Sequence, residues 1–130
     1  MTPELKGFGV ELKPILQNEI ELVRQWRNHP EISSNMFNQD TITKEQQQTW
    51  FNSLTAKENQ RYWMISYKSQ NIGVASGLSS EDLPLSESTV IIPGLYLAPE
   101  CRYRNSVLAF SPSLVLLDYF FSFPNCKSIV

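Results

Sequence analysis

Arg102 and Arg104 lie two residues apart, and Asn105 and Ser106 follow at once. The connection that carries them runs into Ser111-Pro112. That pair opens a helix, because Ser accepts a backbone N–H and Pro fits the first helical position. Guanidinium groups grip phosphate oxygens in pairs, and a helix start carries partial positive charge. The chemistry to expect of the connection is capture of a phosphate or pyrophosphate. The same residues also read as a solvated basic loop, and composition does not choose between the two. Other chemistries find little support. His29 is the single histidine and has no Cys or carboxylate cluster beside it in sequence, so no metal is expected. No Ser-His-Asp arrangement, P-loop or GxGxxG phrase occurs. Glu81, Asp82 and Glu87 read as solvated loop carboxylates. Gln46-Gln47-Gln48 reads as a solvated helix face.

These residues need elements to position them. Val10 to Leu16 alternates as a strand. Asn18 with Glu21, three residues on, has the capping-box pattern of a helix start. Ile20, Leu22, Val23 and Trp26 then form an apolar stripe at helical spacing. Pro30 ends that helix near His29 by disfavouring helical geometry in the residue before it. A short turn, Glu31 to Met36, leads to the loop Phe37-Asn38-Gln39-Asp40. Thr43 with Gln46 is a second capping box, opening a helix to about Ala56 with Trp50, Phe51 and Leu54 on its buried side. Arg61–Tyr67 and Ile72–Leu78 form a hairpin around Ser69-Gln70-Asn71. Ser79 to Ser88 is an exposed loop. Thr89–Leu97 is the most apolar strand, and its internal Pro93-Gly94 predicts a bulge or kink. A helix from Ser111 to about Ser122 precedes a last strand, Lys127–Val130. The order β-α-α-β-β-β-α-β gives one α/β domain over residues 1–130 with a mixed sheet. Its last β-α-β segment is a right-handed parallel crossover.

The chain has 130 residues, 11 Lys and Arg against 13 Asp and Glu, and 42% hydrophobic residues. That is too apolar for a disordered tail, and the size supports a core without staples. A net charge of −2 argues against nucleic acid, whose binding needs a broad basic face. The apolar run Leu114 to Phe121 is interrupted by Asp118 and falls short of the roughly 20 residues of a membrane span, so no membrane partner is expected. No leader pattern opens the chain, and Cys101 and Cys126 read as free thiols in a reducing cytoplasm.

The phrase Gly94-Leu95-Tyr96-Leu97-Ala98-Pro99-Glu100-Cys101-Arg102-Tyr103-Arg104 resembles motif A of the GNAT acetyltransferases, where a strand runs into a Gly-rich turn and a helix. Leu12–Ile15, Val23–Asn28 and Met36–Asn38 resemble the branch that holds ribosomal-protein and nucleotide-sugar N-acetyltransferases. Arg61–Ile65 with Ile72–Ala75 is similar to that branch's central hairpin. The resemblance covers about residues 8 to 130. It implies a GNAT-like acyl-CoA N-acyltransferase fold, here without the family's C-terminal helix and strands. Asn105 and Val107 stand where the family's turn has glycines.

The resemblance further implies acetyl transfer from acetyl-CoA, the one co-substrate, to a primary amine on an amino sugar nucleotide or a protein N-terminus. Cofactor contacts would come from Leu95, Tyr96, Leu97, Arg102, Arg104, Asn105 and Ser106. Acceptor contacts would come from Trp26, Arg27, Asn28, Phe37 and Asn38. No residue is assigned as catalytic acid or base. Two strands, Thr89–Leu97 and Lys127–Val130, would splay to admit the pantetheine arm. The alternative is a catalytically inert GNAT-like module that binds a ligand or self-associates, forming a homodimer through its C-terminal strand.

Overall fold

The computed structural model describes residues 2–34, 40–54, 56–99, 101–102 and 110–129. Six strands form one sheet in chain order: β1 (Leu5–Gly7), β2 (Val10–Pro14), β3 (Gln60–Tyr67), β4 (Gln70–Ser79), β5 (Val90–Leu97) and β6 (Ser128–Ile129). Neighbours from β1 to β5 are antiparallel, and β5 pairs with β6 in parallel. Helices α1 (Ile20–Asn28), α2 (Pro30–Ser33) and α3 (Lys44–Leu54) join β2 to β3, and α4 (Ser111–Phe121) lies between β5 and β6. The sheet is mixed, as the sequence predicts.

Both faces of this sheet are covered, which explains the unbroken aromatic and apolar run Tyr62-Trp63-Met64-Ile65 in β3. Trp63 and Ile65 point to one side and pack with Ala75, Ile91 and Leu97 against Val115, Leu116 and Phe120 of α4. Met64 points to the other side and packs with Val74 against Ile20, Val23 and Trp26 of α1. Gly77 lets α4 sit close, because a Cβ there would lie 2.2 Å from the Phe120 ring.

Several local features differ from the sequence reading, among them the segment 79–88, read as exposed, in which Ser79, Leu85 and Ser88 are buried. Strand β1 was not expected; Phe8 and Gly9, at φ 52° and 85°, close the two-residue hairpin that pairs it with β2. At the start of α1, the Glu19 carboxylate accepts the Leu16 N–H at 2.9 Å, while Glu21 is taken by Arg24 at 2.6 Å, so the Asn18–Glu21 box does not form. Pro30 does end α1, with His29 extended at ψ 136°, but it also opens α2 where a turn was expected. The glutamine run is only partly solvated: Gln46 is exposed, but Gln47 is buried and donates to the Ile20 carbonyl at 2.9 Å. Ser111 lies inside α4, with Phe110 at the cap position.

The Thr43–Gln46 box forms as read, each side chain bonding the other's backbone N–H at 2.9 and 3.1 Å. Glu81 is exposed, and it ties the loop to the start of β5 by accepting the Thr89 N–H and hydroxyl and the Val90 N–H. Those three donors hold its carboxyl below the ordinary range.

Candidate functional site

A cavity of about 1010 Å³ lies between the α1–α3 layer and the sheet. The helix side gives it Val23, Arg27, Gln46, Gln47 and Trp50; the sheet side gives it Tyr62, Val74, Ser76 and the stretch 94–97. Trp50 and Tyr62 meet edge to face across its wall, with ring centroids 5.1 Å apart. Gly94 keeps the floor low: a Cβ there would lie 2.4 Å from the Ser76 hydroxyl. Desolvation pushes the Tyr96 hydroxyl far up from its usual value, against a partial pull down from the Arg27 charge.

The hydrogen bonding of β5 is decided by parity. The Val90 carbonyl accepts the Ser80 N–H, and the Ala98 N–H donates to the Ile72 carbonyl at 2.7 Å, so even-numbered residues turn toward β4 at both ends. The Thr89 carbonyl accepts from Lys127 and Ser128, so odd-numbered residues turn the other way. The β4–β5 register is unbroken from Gly73↔Leu97 to Ser79↔Ile91. Strand alternation then directs the peptide groups of Leu95 and Leu97 to the outer edge, while those of Gly94 and Tyr96 belong to the ladder. β6 pairs only with Val90 and Ile91. Beyond Ile91 that edge has no strand partner among the described residues. The bulge expected at Pro93-Gly94 is absent from this ladder. Pro93 is tolerated because its donorless nitrogen falls on the outer edge.

The sequence-derived candidates separate into distinct places. Leu95, Tyr96 and Leu97 line the cavity, and so does Arg27. Trp26 is buried in the core between α1 and the sheet. The Asn28 carboxamide is engaged with Ile42, accepting its N–H at 2.8 Å and donating to its carbonyl at 2.9 Å. Asn28 therefore holds the segment 40–42, which forms part of the cavity wall. Arg102 lines a second hollow of about 540 Å³ with Leu22, Asn71, Ile72, Ala98 and Cys101, at the end of β5. Phe37, Asn38, Arg104, Asn105 and Ser106 lie outside the described residues. Trp50, Tyr62 and Ser76 were not chosen from sequence. Trp50 was read as facing the core and Tyr62 only as part of a strand, and the packing of α3 near the sheet shows both on a concave wall.

Among the described residues no group of three His, Cys, Asp or Glu side chains could hold a metal, and both cysteines are free thiols. No helix among them is long and apolar enough to cross a membrane.

No family model and no curated protein matches the chain in sequence. Solved structures match it in shape. The aminoglycoside acetyltransferase AAC(6')-Ib, solved with acetyl-CoA, superposes with a TM-score of 0.74 at 16% identity, over 91% of this chain and 70% of its own. RimL, a ribosomal L7/L12 α-N-protein acetyltransferase solved with coenzyme A, gives 0.74 at 11% identity, over 95% and 71%. A GNAT-family acetyltransferase from Bacillus anthracis gives 0.70 at 13% identity, over 95% and 69%. The class of protein that the architecture defines is thus the GNAT acetyltransferase fold. The chain spans about 70% of those neighbours' length.

Proposed function

We propose that this chain is an acetyl-CoA-dependent N-acetyltransferase domain, residues 1–130, acting on a primary amine. One observation carries the reading: the 1010 Å³ cavity is walled by the same stretch of β5 that turns the Leu95 and Leu97 peptide groups outward. Residues two apart on a strand are separated by roughly 7 Å, a spacing that suits successive amide contacts along a pantetheine arm. Bound acetyl-CoA would supply a thioester carbonyl at this edge. An outward N–H of Leu95 or Leu97 would stabilise the negative charge that grows on its oxygen as the amine adds, usually a large catalytic contribution. The amine, with a pKa of about 10 as an alkylammonium, must shed a proton first. The new C–N bond then forms as the C–S bond breaks, and the thiolate takes up a proton.

Two of these neighbours are an aminoglycoside acetyltransferase and an α-N-protein acetyltransferase, which supports an amine acceptor without choosing one. The free thiols agree with a reducing, cytoplasmic setting. Calorimetry with acetyl-CoA tests the reading: micromolar binding is expected, and no heat at high micromolar ligand contradicts it.

A second reading, a self-associating GNAT-like module, is favoured by the outer face of α4. Phe110, Leu114, Leu117 and Phe121 are exposed there at helical spacing. Light scattering separates the two, since a clean monomer removes the second.

A further inference from the structure

We infer that the acceptor amine carries an anionic group, a phosphate or a carboxylate, which the Arg27 guanidinium binds inside the cavity. This rests on the acetyltransferase reading. Arg27 sits in the last turn of α1, lines the cavity, and joins no ion pair among the described residues. Its Nε has no accessible surface and no hydrogen-bond partner.

The charged groups around it do not answer it. On α1, Glu21 is spent on Arg24 at 2.6 Å. The sheet wall opposite offers Tyr62, Ser76 and Tyr96 but no carboxylate, and α3 adds Trp50. Asp40 is the single carboxylate among the described lining residues, and it is exposed at the rim. The negative end of the α1 dipole offsets part of the charge but offers no bidentate acceptor. The Arg27 side chain is half-buried, and no carboxylate pairs with it among the described residues, so an anion on the ligand, met by the terminal nitrogens, would supply the missing counter-charge. A polycationic acceptor would instead bring like charge against Arg27, so the sign of the wall selects between amines.

The test uses the intact chain and follows thiol release from acetyl-CoA with matched amines. Glucosamine 6-phosphate is compared with glucosamine, glycylglycine with glycylglycinamide, and spermidine serves as the polycation. The expected result is a kcat/KM about tenfold or more higher for the anionic member of one pair, which also identifies phosphate or carboxylate as the source. Arg27→Gln should bring that ratio close to one, and Arg27→Lys should restore part of it. Equal rates within both pairs, a preference for spermidine, or an unchanged ratio in Arg27→Gln overturns the inference. Calorimetry of the anionic amines on the CoA-saturated protein gives a readout without turnover, and no heat with either overturns it too. If acetyl-CoA binds and uncharged amines are acetylated without preference, only this inference falls. If acetyl-CoA does not bind, the underlying function falls with it.

Discussion

The Asn28 side chain and the Ile42 peptide hold each other by two hydrogen bonds, 2.8 and 2.9 Å long, across fourteen residues of sequence. The Arg24 guanidinium adds a third at the Ile42 carbonyl, 3.0 Å. Asn28 and Arg24 thus tie α1 to Ile42, which lines the cavity. Asn28→Ala should lower stability by about 1–3 kcal/mol, from two net hydrogen bonds in a half-buried setting. Urea unfolding reads the stability. The acceptor KM should rise while acetyl-CoA affinity changes little; the reverse pattern would place Asn28 with the cofactor.

Gly77→Ala tests the seat of α4. Its Cβ would intrude on the Phe120 ring at 2.2 Å, so the ring or the helix must shift. Overpacking of this kind costs roughly 1–3 kcal/mol. Thermal unfolding should show it, and an unchanged midpoint would mean that α4 docks more loosely.

Tyr96 makes stability sensitive to alkaline pH. Burial raises its folded-state value above the ordinary value of about 10. Its contribution is therefore complete below that value and is lost as pH rises beyond it, because only the unfolded state ionises freely. Tyr119 on α4 is shifted the same way by burial and adds to the slope. Tyr96→Phe should flatten the alkaline limb of a denaturation midpoint plotted against pH; an identical limb would assign the slope elsewhere.

Arg102 lies beside the end of β5, where a phosphate-bearing ligand following that strand would pass. Arg102→Ala should weaken acetyl-CoA binding several-fold and reduce its salt dependence, since a phosphate contact is lost. Unchanged affinity at low and high salt would remove Arg102 from the site.

Much of the frame is legible in the sequence because each cue is local. Thr43 and Gln46 are three residues apart, Pro30 constrains only His29, and the aromatic and β-branched content of residues 61–67 needs no partner to be seen. Features decided by distant contacts are not. Gln47 looks solvent-facing until α3 meets the Ile20 carbonyl of α1. Leu5-Lys6-Gly7 is too short to show alternation and becomes a strand only by pairing with β2. Pro93 suggests a bulge, and only the parity of the β5 ladder shows it to be harmless. The same parity separates Leu95 and Leu97 from Tyr96, three neighbours alike in sequence and opposite in what their backbones can bind.

Amide hydrogen exchange on the isotopically labelled chain, with and without acetyl-CoA, tests that separation most directly. The account predicts that the Leu95 and Leu97 amides exchange fast in the free protein and become protected when acetyl-CoA is added, while Gly94 and Tyr96 stay protected throughout. Leu95 and Leu97 amides already protected in the free protein, or indifferent to saturating acetyl-CoA, would contradict it.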